Sequence, residues 1–265
     1  MCALCEMRSC CACPERRSED IRKRHPHRAL RALRAWRPMA KKVGVLSPPE
    51  SQADTAHRRL EEMIVTLQLP PGSHWSEEGL AEEIGIGRTP VREAVKRLQA
   101  DRLVTILPRH GLMITEINVH EQLLAIELRR ELEIFISIRA ARRILASDRE
   151  RLLAAADEIE SAGKHGNLEK YLREVFKANG LIAAAAGNPF ATRSISPLHA
   201  MSRRFYYRYE SDLQNLGAMG VLHAARARAV SRHDEQGALV AVTALMEQIE
   251  NYTRQIFEIS VGSGR

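Results

Sequence analysis

No run of about eighteen apolar residues occurs in this 265-residue sequence, so a transmembrane helix is not expected. The N-terminal region likewise has no apolar stretch long enough to form the core of a secretory signal peptide. Aromatic residues account for only 5% of the chain, whereas Ala, Leu, Glu and Arg are abundant, and this composition favours helices. We therefore expect a mainly α-helical protein in the cytoplasm, with no membrane partner.

The sequence also lacks the short motifs that carry catalytic chemistry. It has no nucleophile elbow, no phosphate-binding glycine loop and no paired metal-binding motif. An enzymatic function would then rest on Glu, His and Arg side chains of a kind that any helical domain contains. We expect a protein that is not an enzyme and needs no cofactor.

Cysteine is absent after residue 13, and all five cysteines lie at the start of the chain: Cys2, Cys5, Cys10, Cys11 and Cys13. The spacing of the first two permits a metal chelate, but no second pair with an intervening loop follows. The arginine-rich residues 16–37 come next and could instead contact phosphates. We interpret residues 1–52 as a disordered extension; the alternative is that residues 1–38 are translated from upstream of a true start at Met39.

The net charge of +7 lies entirely within residues 1–50, which hold 12 Lys or Arg against 5 Asp or Glu. The remaining residues are balanced, with 28 charges of each sign. A local count is more informative, because six basic residues lie between Arg88 and Arg109 against only Glu93 and Asp101. Such a basic patch is what a DNA duplex attracts.

Residues 84–98 predict a tight turn followed by a short amphipathic helix. Gly85 can take a positive φ, Thr89 can cap the helix with its hydroxyl, and Pro90 fits the first helical turn. Apolar side chains at helical spacing form one face: Val91, Ala94, Val95 and Leu98. Basic side chains spaced by four form another: Arg88, Arg92 and Lys96. This division suits a recognition helix in the major groove, although an ordinary surface helix would also carry solvated arginines.

The flanking segments predict a winged helix-turn-helix domain over residues 53–118. A helix is expected over residues 55–69, and a second one, capped by Ser76, is expected to run to about Ile84. Two β-prone runs, residues 103–107 and 112–117, enclose a turn that contains Pro and Gly and predict a hairpin. Three helices followed by a hairpin wing form this fold.

Residues 69–111, reading LPPGSHWSEEGLAEEIGIGRTPVREAVKRLQADRLVTILPRHG, resemble the DNA-binding domain of GntR-type bacterial transcription regulators. The proline–glycine step, the leucine–alanine pair of the second helix, RTPVREA and the wing glycine follow the order of that family. The resemblance implies contacts to operator DNA from six residues: Arg88, Thr89, Arg92, Arg109, His110 and Gly111. Gly87 departs from the family, which usually has a hydroxyl residue at this position.

From residue 119 onward the sequence predicts helices and no strand. The expected helices span residues 119–145, 147–163, 167–186, 190–209, 212–232 and 234–259. The fourth should kink or break at Pro197, and the fifth should be interrupted near Gly217 and Gly220. Six amphipathic helices can enclose an all-α antiparallel bundle over residues 119–260, and the cores of bundles host ligand sites.

This half resembles the FCD ligand-binding domain of the FadR branch of the same family, over roughly residues 123–256. The pieces that carry the resemblance are Arg129 with LE at 132–133, AAAGNP at 184–189, and His223 eleven residues before Asp234. Many members hold a metal with one Asp and three His, and these positions fall here on Val175, Asn179, His223 and Leu245. Since only His223 is retained, we expect no metal in the bundle.

Arg129 is the first candidate for holding the carboxylate of an effector, because a guanidinium can bind two oxygens at once. Asn179 and His223 could add orienting hydrogen bonds. Alternatively, Arg129 forms a structural ion pair with a glutamate and His223 is a core histidine. The expected function is a homodimeric transcription regulator, a repressor or an activator, that responds to a small organic acid. The alternative is an effector-independent DNA-binding protein whose helical domain serves only dimerisation.

Overall fold

The computed structural model describes residues 50–209 and 216–262, with only the backbone described for residues 260–262. The predictions of a disordered extension and of a start at Met39 concern mainly residues 1–49, which lie outside this range. Ser51 and Gln52, which were assigned to the extension, instead cap and begin the first helix. The described residues are mainly helical, and none of their helices is long and apolar enough to cross a membrane.

The first part of the described chain is a winged helix-turn-helix, as the sequence predicted. Its elements, in chain order, are α1 (Gln52–Val65), β1 (His74–Trp75), α2 (Glu77–Ile84), α3 (Arg88–Ala100), β2 (Val104–Leu107) and β3 (Gly111–Ile114). The strands form an antiparallel sheet in the order β1-β3-β2. The hairpin β2–β3 was expected, whereas β1 is too short to show an alternating pattern and was missed.

Local capping interactions explain where these helices begin. The Ser51 hydroxyl accepts from the amide of Asp54 in a capping box, so α1 begins earlier than residue 55. The Ser76 hydroxyl caps α2 by accepting from the amide of Gly79 at 2.9 Å. The N-cap of α3 is Gly87, without a side-chain cap, so the prediction that Thr89 caps this helix is wrong. Thr89 instead lies inside the first turn.

The second part contains six helices packed around a common apolar core. They are α4 (Val119–Arg143), α5 (Ala146–Lys164), α6 (Leu168–Ala185), α7 (Pro189–Arg208), α8 (Leu216–Ser231) and α9 (Glu235–Gly262). Helix α7 runs through Pro197 without a break. Helix α8 runs through Gly217 and Gly220, so the predicted interruption is wrong.

The glycines of α8 are explained by packing and not by helix breaking. A Cβ atom on Gly220 would lie 3.2 Å from the carbonyl oxygen of Ile159 in α5. A Cβ atom on Gly163 of α5 would lie 2.8 Å from the carbonyl oxygen of Leu216. Helices α5 and α8 therefore approach each other at the level of their backbones, which only small residues allow.

Helix α7 packs against both parts of the described chain. Ala200 is buried in the core of the winged helix, whereas Phe205 is buried in the core of the bundle. Arg203 donates to both carboxylate oxygens of Glu62 in α1, at 2.8 and 3.1 Å. Arg204 donates to the hydroxyl and the carbonyl of Thr115, directly after β3. The winged helix and the bundle thus contact each other through α7.

We predict that Gly111→Ala destabilises the protein more than Gly85→Ala. Both glycines have positive φ, +81° and +66°, so each alanine costs about 1–2 kcal/mol of backbone strain. A Cβ atom at Gly111 would also collide with the carbonyl oxygen of Trp75 in β1, whereas the space around Gly85 is open. This overpacking adds about 1–3 kcal/mol. Urea unfolding of the two variants measures the difference, and equal losses would contradict the close approach of β1 to β3.

Candidate DNA-binding surface and buried charge cluster

Helix α3 has the two faces that the sequence predicted. Its apolar side chains are fully buried in the core of the winged helix: Val91, Ala94, Val95 and Leu98. The four residues proposed to contact DNA from this helix are exposed: Arg88, Thr89, Arg92 and Lys96. One face therefore fixes α3 to the domain and leaves the basic face accessible.

The two leading arginines of α3 are held by carboxylates of α2. Arg88 forms an ion pair with Glu78, and the Nε of Arg92 donates to Glu77 at 2.8 Å. The arginine side chains nevertheless remain 64% and 61% exposed. Ion pairs this open to water contribute little to stability, so a phosphate can replace the carboxylate. Sequence reasoning found the arginines but not these partners.

The tip of the wing exposes Arg109 and His110 between β2 and β3. Arg109 has a φ of 68°, and the amide of His110 donates to the carbonyl of Leu107 at 2.9 Å, which closes the turn. Gly111, also proposed as a DNA contact, is partly buried and pairs with Leu107. Its backbone geometry shapes the wing, while the two residues before it present their side chains.

A buried charge cluster, formed by Arg129, Glu133, His199 and Arg226, lies inside the helical bundle. Glu133 is fully buried, and its Oε1 accepts from the Nε and Nη2 of Arg129, each at 3.2 Å. The Nε2 of His199 lies 2.8 Å from the same oxygen, and the Nη2 of Arg226 donates to Oε2. Burial alone would raise the pKa of Glu133, but the charge of Arg226, the hydrogen bond with His199 and the charge of Arg129 hold it well below its usual value.

Arg226 is only 1% exposed, and each of its guanidinium nitrogens donates a hydrogen bond. Nε donates to the hydroxyl of Ser137 at 2.9 Å and Nη1 to the Oδ1 of Asn179 at 3.0 Å, while Nη2 reaches Glu133. Sequence reasoning did not single out this arginine. Residues 224–230 are apolar except for Arg226 and Arg228, so the sequence alone does not indicate which of the two arginines is buried.

Arg129 is paired with a glutamate, as the alternative interpretation proposed, but the pair does not use all of its donors. Its Nη1 is buried and, within the described residues, has no hydrogen-bond partner. The buried hydroxyls of Tyr171 and Tyr206 are also without partners there. Burial raises the pKa of both phenols, that of Tyr206 to about 12, against the opposing charge of nearby Arg129. Both tyrosines therefore remain protonated hydrogen-bond donors.

Asn179 and His223, the other two candidate effector residues, lie beside the same cluster. Asn179 accepts from Arg226, and the ring of His223 packs edge-on against Tyr171 with 5.9 Å between ring centroids. Burial, together with the charges of Arg226 and Arg129, lowers the pKa of His223 to about 3. His223 is therefore a neutral residue of the core at physiological pH, which agrees with the alternative interpretation of its role.

Two family models match the chain. The model of bacterial regulatory proteins of the GntR family matches residues 52–114, and the FCD domain model matches residues 124–248. The chain belongs to the GntR family. This assignment agrees with the resemblance of both halves and with the winged helix followed by a helical domain.

Curated relatives of this GntR-family chain are named as transcription regulators. The Escherichia coli repressor RspR is 23% identical over 211 residues, covering 80% of this chain and 92% of RspR. An uncharacterised helix-turn-helix regulator of Agrobacterium vitis is 35% identical over 81 residues. That match covers 31% of this chain and 47% of the relative, so the chain spans about half the length of this regulator.

Solved structures of GntR-type regulators share the fold. Escherichia coli McbR/YncC superposes with a TM-score of 0.67 at 19% identity, covering 78% of this chain and 99% of that one. A regulator described as GntR from Rhodococcus sp. RHA1 superposes with a TM-score of 0.62 at 15% identity, covering 77% and 98%. The domains and relatives of the chain are thus those of DNA-binding transcription regulators.

The residues of this FCD domain do not fit a divalent metal. The positions that the resemblance assigns to metal ligands are Val175, Asn179, His223 and Leu245, and two of these are buried aliphatic side chains. Asn179 is engaged by the guanidinium of Arg226. In residues 50–209 and 216–262, no three His, Cys, Asp or Glu side chains converge on a possible metal position. A site with one imidazole and one neutral amide lacks the donor set that such an ion needs.

We predict that Glu133→Gln lowers the free energy of unfolding by about 3–5 kcal/mol at pH 7, because it leaves two buried arginines without their carboxylate. The pKa of Glu133 is lowered in the folded state, so its contribution is complete above its usual pKa of 4.5. As the pH falls below 4.5, the contribution is lost and the two proteins converge in stability.

Glu174→Gln is the matched control, because Glu174 is also a paired carboxylate of the bundle but bonds Lys177 near the surface. Chemical unfolding of the three proteins from pH 8 to pH 3 measures the effect. A loss at Glu133 no larger than that at Glu174 would contradict the described cluster.

Proposed function

We propose that this chain is a cytoplasmic, homodimeric transcription regulator, and not an enzyme, whose affinity for operator DNA is controlled by a small organic acid. The observation that carries the proposal is the unpartnered Nη1 of Arg129, buried inside the bundle beside two protonated tyrosine hydroxyls. Buried donors without acceptors are costly, and a carboxylate supplies the missing acceptors. Repression is the favoured mode, since RspR is named a repressor.

The DNA contacts of this proposal come from α3 and the wing. Arg88, Arg92 and Lys96 present positive charge from the exposed face of α3, and Thr89 lies in its first turn. Phosphates or base edges would replace Glu77 and Glu78 as partners of the two arginines, and Arg109 and His110 would extend the contact from the wing, which Gly111 shapes. A single winged helix reads a short half-site, so a two-fold dimer on a near-palindromic operator is proposed.

Helix α7 gives the effector a route to the DNA-binding domain. His199 contacts the buried charge cluster, and Tyr206 places its free hydroxyl in the same core. Arg203 and Arg204, on the same helix, hold α1 and the segment after β3. A carboxylate that binds Arg129 and Tyr206 more tightly in one position of α7 would favour the corresponding position of the winged helix.

The second candidate is an effector-independent regulator whose bundle serves only dimerisation. The Arg129–Glu133 pair favours this second candidate. A buried ion pair between successive turns of one helix can have a purely structural role, which needs no ligand. Operator affinity depends on a ligand in the first function but not in the second. The titration with organic acids described below separates them.

We predict that Arg92→Ala weakens operator binding by about 1–3 kcal/mol at the base pair that it reads. Arg97→Ala is the matched control, because Arg97 is also an exposed, ion-paired arginine of α3 but bonds Asp54 of α1 at 2.6 Å. Gel-shift titrations with an operator duplex selected from genomic fragments compare the variants. If Arg92→Ala binds as tightly as the control, α3 does not read DNA through this face.

We predict that at least one small organic acid changes operator affinity by about 5–150-fold, the usual range of allosteric coupling. The effect should be lost in Arg129→Lys, which keeps the charge but not the planar fork. Arg130→Lys is the control, since Arg130 is the next residue of α4 and pairs with Glu250 near the surface. Fluorescence anisotropy of labelled operator over a panel of organic acids measures the coupling. No response to any acid would leave the effector-independent function.

A further inference from the structure

The formal charges of the buried charge cluster do not cancel. Arg129 and Arg226 contribute two positive charges and Glu133 one negative charge, and all three side chains are at least 96% buried. Burial lowers the pKa of His199 and of His223, so neither imidazole adds a charge near neutral pH. Among the described residues, this cluster therefore carries one excess positive charge, which a low-dielectric interior does not tolerate without a counter-ion.

The free donor at Arg129 shows where this excess charge lacks an acceptor among the described residues. All the nitrogens of the Arg226 guanidinium are engaged, by Ser137, Asn179 and Glu133. Arg129 still has Nη1 without a partner in the described residues, and the hydroxyls of Tyr171 and Tyr206 are free there as well. One carboxylate can accept from a guanidinium N–H and two phenol O–H groups, because its two oxygens offer about four lone-pair positions.

We propose that the bundle binds monocarboxylates without a metal ion, with Arg226 as the fixed cation of the site and Arg129, Tyr171 and Tyr206 as the direct donors. This inference rests on the effector function proposed above and names its ligand class. Arg226 balances Glu133, so the charge of Arg129 is left for the ligand. Its guanidinium also donates a hydrogen bond to Asn179, which stands at one of the positions that the resemblance assigns to metal ligands.

The charge count explains why one carboxylate is selected. A single carboxylate brings the cluster to neutrality, whereas a second one would leave a buried negative charge. A neutral amide of the same shape leaves the positive charge uncompensated. The four described residues at the positions that the resemblance assigns to metal ligands offer no further cation, since Val175 and Leu245 are aliphatic and Asn179 and His223 are neutral.

The first test compares probes of matched shape on the full chain by isothermal titration calorimetry. The probes are butyrate, butyramide and succinate, and benzoate, benzamide and phthalate, each with and without a chelator in constant chloride. In at least one series the monocarboxylate should bind about 10–100-fold more tightly than the amide and the dicarboxylate, with no effect of the chelator.

Several outcomes of this test would overturn the inference. They are a preference for the dicarboxylate or the amide, loss of binding with the chelator, equal competition by chloride, and no binding of either monocarboxylate. If succinate or phthalate binds instead and still changes operator affinity, the effector function stands and only the ligand class is wrong. If monocarboxylates bind as expected but operator affinity stays constant, the inference stands and the effector function fails.

The second test changes the charge of the cluster in steps. Arg226→Met makes it neutral and should weaken binding of the monocarboxylate about 10-fold or more. Adding Glu133→Gln to Arg226→Met restores one positive charge on Arg129 and should recover most of the affinity. The control is Arg129→Met with Glu133→Gln, which has the same net charge but lacks the Nη1 donor and should not recover binding.

Recovery in the first double variant but not in the second shows that charge balance and the Arg129 donor both act. A merely structural role of Arg226 predicts no recovery, because the second substitution removes yet another native hydrogen bond. Failure of the first double variant to recover binding, in protein with native circular dichroism, would overturn the role of Arg226. If neither variant folds, the comparison of probes on the unmodified chain still decides.

Discussion

The helical half of the protein depends on the burial of one carboxylate. Glu133 has no access to water, so its desolvation must be offset by the charges and hydrogen bonds of Arg129, Arg226 and His199. These partners come from α4, α8 and α7, and Asn179 of α6 joins them through Arg226. Apolar burial is non-directional, so this hydrogen-bonded network helps to define the relative positions of the four helices.

The network also explains why α7 connects the two halves. His199 ties α7 to Glu133, and four residues later Arg203 ties it to Glu62 of α1. Because both contacts lie within about one turn of a rigid helix, a displacement at one is transmitted to the other. The bundle and the winged helix are therefore joined by polar contacts of the same helix, α7.

The sequence predicted features that depend on local patterns of residues. It did not predict features that depend on contacts between residues distant in the chain. The faces of α3 follow from the spacing of Val91 and Arg92, and the start of α2 from Ser76, because periodicity and capping act within a few residues. The interruption of α8 was wrongly predicted because the partner that explains Gly220 is the backbone of α5. Arg226 was missed for the same reason, since its partners Glu133 and Asn179 lie 93 and 47 residues away.

Arginine–carboxylate pairs serve opposite purposes in the two halves, and solvent exposure decides which. Pairs such as Arg92–Glu77 are open to water and worth about 0–1 kcal/mol, so phosphate can displace the carboxylate at little cost. The pairs of Glu133 are fully buried, and breaking one by removing a partner costs about 3–5 kcal/mol. Surface pairs can therefore exchange partners on encountering DNA. The buried charge can respond only to an ion that enters the core, so in the proposed function recognition of DNA and recognition of a ligand would both use arginine side chains without interfering.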